Sequence, residues 1–262
     1  MRDKNKPLAA LEFASLGSGS KGNATLVSIG DTCIMVDCGF SMRETVARLE
    51  DCGKQAEQLA AILLTHEHTD HIRGAGAMSR KFGIPIWSTR GTAQAEALGE
   101  VSRQYFINAE EEFNIGEVVV QAYPVPHDAR EPCQYIFSNG KQKLGLLTDV
   151  GRGTPHIVER LSLCDALLLE CNHDSEMLAE GEYPVSLKQR VAGDLGHLSN
   201  LQAAGILAQL DTSNLKYIAA MHISEKNNQV ELAREALSEV LDCEHNWINI
   251  ADQQHGLAWH KI

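Results

Sequence analysis

Residues 64–72 read LTHEHTDHI, a stretch that contains three histidines and one aspartate within six positions. Its polar residues His66, His68, Asp70 and His71 follow directly after an apolar run. Imidazole nitrogens and carboxylate oxygens are the usual protein ligands of zinc and similar divalent ions. A closed structural zinc site needs only four ligands in all, so ligands crowded to this degree favour two neighbouring ions over one.

Polar residues recur at the ends of predicted strands along the rest of the chain. Taken alone, a polar residue after a strand is commonly only a turn former. Six of them, counting the histidine stretch itself, indicate a preorganised site, because a rigid sheet holds each side chain while its polar head faces a cleft. The six are Asp37 after IMV, His66 after ILLT, His127 after YPVP, Asp149 after GLLT, Glu170 after ALLL and His222 after YIAAM.

Apolar runs rich in Val, Ile and Leu alternate with helical patterns from one end of the chain to the other. The runs predict strands at residues 11–16, 24–29, 33–36, 61–64, 84–87, 118–123, 134–137, 144–147, 166–169 and 217–221. The helical patterns cover residues 42–51, 72–82, 201–209 and 229–240. Ser138-Asn139-Gly140-Lys141 is typical of a hairpin turn. This order predicts an α/β (α+β) fold in which two sheets pack face to face under outer helices.

Composition and length fit a single folded domain over residues 1–262, with an apolar fraction of 44% and no linker, repeat or low-complexity tract. No signal sequence and no membrane-spanning run stands out, so we expect a soluble, cytoplasmic protein with no membrane partner. A net charge of −12 speaks against a broad nucleic-acid-binding surface, although a local basic rim is compatible with it. The seven cysteines form no C-x-x-C pair, which argues against a disulfide framework or a thiolate zinc site.

The motif His66-x-His68-x-Asp70-His71 resembles the metal-binding pattern of the metallo-β-lactamase superfamily. The later residues His127, Asp149 and His222 follow in the order of that pattern, over almost the whole chain. The resemblance implies a four-layer αββα sandwich of two mixed sheets flanked by helices. It implies that one ion is held by His66, His68 and His127 and the second by Asp70, His71 and His222, with Asp149 bridging them and Asp37 orienting a ligand. Zn²⁺ is the expected metal, and Mn²⁺ or Fe²⁺ would also suit these ligands.

Two ions ~3.5–4 Å apart can share a hydroxide and clamp the attacking and leaving oxygens of a displacement, so hydrolysis is the expected reaction. Di-iron redox members of the superfamily carry Glu where this chain has His68, which argues against oxygen or NO reduction. True β-lactamases are normally exported with a signal sequence and mostly lack the bridging Asp149. We therefore expect a hydrolase of another class.

The loop Gly196-His197-Leu198-Ser199-Asn200, together with Glu170, resembles the nuclease branch of the superfamily. The resemblance implies that Glu170 orients His197 and that His197 protonates the departing oxygen. An alkoxide is a poor leaving group, and general acid catalysis contributes typically ~10²–10⁴-fold. Ser199, Asn200 and Ser224 would donate hydrogen bonds to phosphate oxygens. The alternative is that the loop is only a helix N-cap, with Ser199 as the cap and His197 solvated.

The segments 18–24 (SGSKGNA) and 170–174 (ECNHD), with the G-H-L-S-N loop, resemble the YycJ/WalJ family of bacterial cytoplasmic hydrolases. That resemblance implies phosphodiesterase activity, and DNA exonuclease activity for at least part of the family. Cys171 departs from the small hydroxyl residue expected there. His173 either contacts substrate or caps the helix that follows at Asp174. Candidate cations for the phosphate backbone are Lys21, Arg130, Arg152, Lys188 and Arg190, while His156, His245, His255 and His260 have no ligand context.

The prediction is a binuclear metal-dependent phosphodiesterase or nuclease, DNA exonuclease-like, that uses a metal-bridging hydroxide. Asp70, Glu170 and His197 are the predicted catalytic residues, and Ser199, Asn200, Ser224 and His173 the predicted substrate contacts. The partner would be nucleic acid, in the first place DNA, or a small phosphodiester. The alternative is a carbonyl hydrolase such as a lactonase or glyoxalase-II-like thioesterase, in which His197 is dispensable because a thiolate leaves without a proton. A binding module with a vestigial site is disfavoured, since every ligand position is filled.

Overall fold

The computed structural model describes residues 8–262, which contain fourteen strands; residues 1–7, with most of the charged N-terminal segment, lie outside the described residues. In chain order the strands are β1 Leu11–Gly17, β2 Ala24–Ile29, β3 Thr32–Val36, β4 Leu59–Leu63, β5 Ile86–Ser88, β6 Gln104–Phe106, β7 Glu112–Ile115, β8 Val118–Pro124, β9 Cys133–Ser138, β10 Lys143–Leu147, β11 Ala166–Glu170, β12 Tyr217–Met221, β13 Asn249–Ile250 and β14 Leu257–Lys261.

Nine α-helices lie between these strands in the same part of the chain. They are α1 Met42–Asp51, α2 Thr69–Ile72, α3 Ala75–Phe82, α4 Arg90–Ala93, α5 Pro155–Leu161, α6 Ser175–Glu180, α7 Val185–Val191, α8 Asn200–Leu207 and α9 Val230–Leu241. Short 3₁₀ turns occur at Ala56–Gln58, Glu96–Leu98 and His245–Trp247. Within residues 8–262 no helix is both long and apolar enough to cross a lipid bilayer.

The strands form two mixed sheets of seven strands each. The first has the order β14-β1-β2-β3-β4-β5-β6 and the second the order β13-β12-β11-β10-β9-β8-β7. In the first sheet β3 to β6 run parallel, and in the second β10 to β13 run parallel. The remaining neighbours pair antiparallel, including the predicted hairpin of β9 and β10. The prediction of two mixed sheets is confirmed.

Alternation along the strands divides the apolar side chains into three clusters. Val36 and Leu63 of the first sheet and Leu146 and Leu168 of the second belong to one cluster between the sheets. Their neighbours in sequence face outward: Met35 and Ile62 join a cluster with Leu49 of α1 and Met78 of α3. On the opposite side Leu147 and Leu169 pack with Ile157 of α5, Leu207 of α8 and Leu237 of α9. Because successive strand residues point to opposite faces, this pattern produces the αββα layers that the sequence predicts.

One predicted helix is wrong in its extent. The helix expected over residues 72–82 is two helices, α2 within the histidine motif and α3 beyond it. The chain between them packs tightly on the segment after β3, where Gly74 N donates to Cys38 O at 2.8 Å. A Cβ on Gly74 would stand 2.3 Å from Phe40 O, so only glycine allows this approach. The break leaves α2 as a single turn that carries Asp70 and His71.

The cysteines give a test of the fold. All seven are free thiols; Cys33, Cys38, Cys133, Cys164 and Cys171 are buried and Cys52 and Cys243 are partly exposed. Burial raises the pKa of Cys33 to about 11 and that of Cys38, Cys133 and Cys164 to about 12. Since the thiolate is the reactive form, we expect a maleimide to label two cysteines in the native protein and seven in urea. Intact-mass spectrometry counts the adducts; a different native count, or fewer than seven in urea, would contradict this placement.

Candidate metal centre

The polar residues at the strand ends meet at one edge of the sandwich. Asp37 follows β3 and the histidine motif follows β4, two parallel neighbours of the first sheet. Asp149, Glu170 and His222 stand at the carboxyl ends of the parallel strands β10, β11 and β12 of the second sheet. Parallel strands present their carboxyl ends along the same edge, so the two sheets contribute ligand-type side chains to one place.

A first group of donors comes from His66, His68 and His127. One nitrogen of each ring lies within 4.8 Å of the others, and His127 Nε2 is 3.2 Å from His68 Nδ1. His66 Nε2 is buried and has no protein partner within the described residues. Burial, together with the neighbouring histidines, lowers the pKa of His66 far below its ordinary value. Burial also lowers the pKa of His127. Both rings are therefore held as neutral imidazoles, the form that ligates a metal.

The nitrogen of each ring that faces away from this group is bonded to protein. His68 Nε2 donates to Asp128 O at 3.2 Å, and His127 Nδ1 donates to Gly196 O at 3.0 Å. His66 Nδ1 donates to Thr65 Oγ1 at 2.9 Å. These bonds fix the tautomer and leave Nδ1 of His68 and Nε2 of the other two rings facing inward.

A second group surrounds Asp149, which is buried. Its Oδ2 lies 2.9 Å from His71 Nε2, and its Oδ1 accepts from His222 Nδ1 at 3.1 Å. Asp70 Oδ2 lies 3.6 Å from His71 Nε2 and 3.9 Å from His222 Nε2. Donor atoms of Asp149, His71 and His66 also lie within 4.8 Å of one another. Asp149 therefore stands between the two groups, at the position from which a carboxylate can contact both.

The charges of the second group oppose the cost of burial. Burial disfavours the imidazolium forms, yet Asp149 and the other nearby carboxylates raise the pKa of His71 well above its ordinary value and that of His222 to about 10. Burial would likewise raise the pKa of Asp149, but His222 and His71 hold it well below its usual range. Asp149 is thus ionised in this environment, as a ligand carboxylate must be.

Asp37 ties three parts of the site together. Its Oδ1 accepts from Thr65 N at 2.8 Å, and its Oδ2 accepts from Thr65 Oγ1 at 2.9 Å and from His71 Nδ1 at 2.8 Å. The bond to His71 directs Nε2 of that ring toward Asp149. The sequence predicted that Asp37 orients a ligand, and the structure places it in contact with His71.

Three of the strand-end residues adopt the left-handed backbone conformation. The φ angles are 59° for Asp37, 51° for Asp149 and 53° for His222. Such a conformation costs a non-glycine residue roughly 1–3 kcal/mol, and residues of this kind cluster at functional sites. The turn of the chain at these positions brings their side chains back over the edge of the sheets, where the site lies.

Glu170, which is buried, and His197, which is partly exposed, form a pair beside the cluster. His197 Nδ1 donates to Glu170 Oε1 at 2.8 Å and also lies 3.3 Å from Asp149 Oδ1. Glu170 Oε2 accepts from Val150 N at 3.0 Å and Leu198 N at 3.3 Å. Burial alone would raise the pKa of Glu170, but the neighbouring His197 outweighs burial and lowers that pKa to about 2. Burial alone would lower the pKa of His197, but Glu170 outweighs burial and raises it. The sequence left two interpretations of the G-H-L-S-N loop, with His197 either paired with Glu170 or solvated. In the structure His197 is paired with Glu170.

None of the four predicted substrate contacts belongs to the two donor groups. Ser199 is the N-cap of α8 and forms a capping box with Gln202, and Asn200 exchanges two amide hydrogen bonds with Asn228. Ser224 Oγ accepts from Asn227 N at 3.2 Å. His173 is buried with its Nδ1 unpartnered within residues 8–262, and Asp174 caps α6. None of these four side chains lines the cavity around the cluster, although Ser224 lines an adjoining one. Their role in substrate binding stays a prediction.

The cluster lies in a cavity of about 370 Å³. Its walls include residues that the sequence did not single out as ligands or contacts, namely Ser20, Thr69, Asp128, Tyr183 and Leu187. Of the five candidate cations, Arg190 lines this cavity, where its Nε donates to Asp128 Oδ2 at 2.6 Å. Lys21 is paired with Glu225. Arg130 donates a hydrogen bond to Gln94, and Lys188 donates one to Ala179 O. Arg152 is exposed. The candidate cations thus do not form a single phosphate-binding group.

The Gly-Ser-rich segment before β2 lines the cavity through Ser20 and supports the site through Ser18 and Asn23. Ser18 Oγ accepts from His222 N at 2.8 Å, and Asn23 Nδ2 lies 3.1 Å from His71 Nε2. Asn23 Oδ1 in turn accepts from Gly19 N at 2.8 Å. Two side chains of this segment therefore contact residues of the second group.

Comparison with known proteins agrees with this geometry. The model of the Beta-lactamase superfamily domain matches residues 32–223. The chain is 36% identical over 236 residues to "Exodeoxyribonuclease YycJ" of Bacillus anthracis, covering 88% of this chain and 89% of that protein. It is 35% identical over 228 residues to "Exodeoxyribonuclease WalJ" of Streptococcus pneumoniae serotype 2 (strain D39 / NCTC 7466), covering 85% of each. The crystal structure of the metallo-beta-lactamase fold protein YhfI from Bacillus subtilis superposes with a TM-score of 0.77 at 17% identity, over 97% of this chain and 100% of that one, which shows the shared fold.

The three hydrogen bonds of Asp37 generate a stability prediction. Asp37→Ala leaves Thr65 N, Thr65 Oγ1 and His71 Nδ1 buried without this acceptor, and each buried group left unpaired costs about 1–3 kcal/mol. We expect the chelator-treated variant to lose about 3 kcal/mol or more of unfolding free energy in urea. Asp51→Ala, at an exposed position in the last turn of α1, is the matched control and should stay within about 0.5 kcal/mol of the parent. Equal stability of the two variants would contradict the role given to Asp37.

Proposed function

Because the chain belongs to the beta-lactamase superfamily, and within it to the family of the YycJ and WalJ exodeoxyribonucleases, we propose that it is a metal-dependent phosphodiesterase that hydrolyses DNA from its ends. Three observations support the proposal. The cluster offers donors for two ions, a paired histidine stands beside them, and two relatives that match most of the chain are named as exodeoxyribonucleases.

The donor atoms fit divalent ions on a structural criterion. The imidazoles of His66, His68, His71 and His127 each bond a group outside the assigned ligands through one ring nitrogen and direct the other toward the cluster. His66 Nε2 is buried without a protein partner in the described chain. A buried polar atom left unpaired is costly unless a ligand satisfies it. We assign His66, His68 and His127 to one ion, Asp70, His71 and His222 to the other, and Asp149 to both. Zn²⁺, Mn²⁺ and Fe²⁺ all suit imidazole and carboxylate.

Bound metal would polarise the scissile phosphate and lower the pKa of a water molecule toward neutrality. The chain's own residues would then manage the leaving group. His197 donates its Nδ1 proton to Glu170, so the proton on Nε2 is the one available to a departing oxygen. Glu170 is held in place by the main-chain N–H groups of Val150 and Leu198, which fixes the imidazole plane. This pair at the wall of the metal cavity is the observation that carries the proposal.

The same pair favours a phosphodiester over the thioester substrates of the alternative function. A thioesterase releases a thiolate, which leaves without a proton, and gains little from a positioned acid. A DNA strand leaves as an alkoxide, for which a positioned acid contributes typically ~10²–10⁴-fold. The completely buried carboxylate of Glu170 orients the partly exposed His197. This arrangement is consistent with the alkoxide leaving group of a nucleic acid.

The direct test replaces the proposed acid. His197→Ala should lower turnover of end-labelled single- and double-stranded DNA by roughly 10²–10⁴-fold, measured with Mn²⁺ and with Zn²⁺. The loss should be smaller on bis(p-nitrophenyl) phosphate, because p-nitrophenolate needs less help from an acid. Metal content by mass spectrometry should match that of the parent, since His197 is not among the assigned ligands. His255→Ala, at a side chain that is 86% exposed, is the matched control.

The results separate the acid role from the activity itself. Equal losses on both substrates, or no loss on either, would contradict the role of His197 as acid. Absence of DNA cleavage by the metal-loaded parent, at every end structure tested, would contradict the proposed function.

A further inference from the structure

Two further cavities continue from the metal cavity along the surface. A side cavity of about 180 Å³ shares Ser20 and Tyr183 with the metal cavity. An outer cavity of about 470 Å³ shares Lys21 and Ser224, among others, with the side cavity. Shared wall residues place the three side by side. A DNA strand that binds with one phosphate at the cluster also has nucleotides on either side of that phosphate. This row of cavities offers space for them.

Tyr183 stands at the junction of the metal cavity and the side cavity. It is half-buried, and the Nζ atom of Lys226, which also lines the side cavity, lies 5.8 Å from the centre of its ring. Among the residues of the described chain that line the three cavities, Tyr183 is the one Phe, Tyr or Trp. An aromatic ring at such a place suits an unpaired base, because every base has a face that can stack whatever its identity.

Of the three Lys or Arg side chains within residues 8–262 that line the cavities, Lys21 and Arg190 are already paired with acids, and Lys226 lies over the ring of Tyr183. Lys21 Nζ lies 2.6 Å from Glu225 Oε2, and Arg190 Nε lies 2.6 Å from Asp128 Oδ2. A phosphate backbone would therefore gain less from these side chains than from unpaired ones. In a chain with a net charge of −12, contacts that do not depend on charge become more important for holding a DNA end.

The wall that carries Tyr183 is fixed relative to the cluster. Tyr183 directly precedes Pro184, the N-cap of α7, and no residue of α7 is buried. Polar contacts hold this helix instead: Arg190 pairs with Asp128, and His197 N donates to Val191 O at 2.8 Å. Asp128 O in turn accepts from His68 Nε2, so the wall is tied to the first group of histidines. Because α7 has no buried residue, it contributes little to the core, and its side chains line the cavity instead.

We propose that Tyr183 stacks on an unpaired base next to the scissile phosphate and thereby positions a single-stranded DNA end at the metal centre. This inference rests on the proposed function. The base lies in the side cavity, and Lys226 stands over the same ring. Because a stacking contact is indifferent to base identity, it supports hydrolysis of ends of any sequence.

The experiment combines a change in the protein with a change in the DNA. In the metal-loaded His197→Ala background, where cleavage is slowed, fluorescence anisotropy gives Kd for a short single-stranded oligonucleotide labelled in turn at either end. Tyr183→Ala should raise Kd by roughly 5–150-fold, the effect of one stacked base, whereas Tyr183→Phe should not. Tyr183→Leu keeps apolar bulk without the ring and should behave like the alanine variant. Phe106→Ala, an exposed aromatic on β6 away from the cavities, is the control.

Abasic nucleotides placed at successive positions from each end then locate the contact. At one position, removal of the base should weaken binding to the parent but not to Tyr183→Ala, so the two losses do not add. Equal Kd values for Tyr183→Ala and its parent would overturn the proposal, and so would additive losses at every position. Failure of the proposed function would show separately, because the protein with His197 intact would then not cleave DNA. If His197→Ala does not slow cleavage, the KM of the Tyr183 variants for the oligonucleotide is compared in place of Kd.

Discussion

Hydrogen bonds on the outward side of four imidazoles determine where most histidines of this site point. Five rings converge on one cluster, and four of them are held through the nitrogen that faces away from it, by Thr65 Oγ1, Asp128 O, Asp37 or Gly196 O. The fifth, His222, bonds Asp149 within the cluster. Without these bonds each ring could flip or exchange tautomers, and the inward nitrogens would not face one another. Asp37 matters most among the partners, because its two oxygens join the end of β3, the loop after β4 and the helix α2.

The sandwich explains why these partners are available. Parallel strands of both sheets end at one edge, so buried main-chain groups and side chains meet there in a fixed arrangement. Asp37, Asp149 and His222 take left-handed conformations at these ends, which the surrounding packing must stabilise. The second sheet also supplies Glu170, whose buried carboxylate orients His197 at the same edge. Ligand-type residues and the proposed acid thus share one rigid support, while α7 and the loop before it border the cavity without joining the core.

Much of this organisation is readable in the sequence, because the decisive signals are local. The HxHxDH motif is contiguous, the strand-end positions follow apolar runs of period two or continuous burial, and α1 and β12 have the predicted bounds. The short or polar edge strands β6, β7, β13 and β14 carry little periodicity, and β14 pairs with β1 from the opposite end of the chain. No local pattern marks Asp128 or Tyr183, and although Asn23 lies in the segment 18–24, nothing there predicts its contact with His71, because these contacts are created by tertiary folding. The G-H-L-S-N loop fits both of its interpretations in part: Ser199 caps α8 while His197 binds Glu170.

The most direct test of this account is a crystal structure of the protein loaded with Zn²⁺ or Mn²⁺, with anomalous scattering recorded at the metal edge. We expect two peaks in the cavity, roughly 3.5–4 Å apart, with His68 bound through Nδ1 and the other four imidazoles through Nε2. A single peak would contradict it. So would coordination through the nitrogens that now bond Asp37, Gly196 O and Asp128 O, because the orientation of the rings would then not be set by their protein partners.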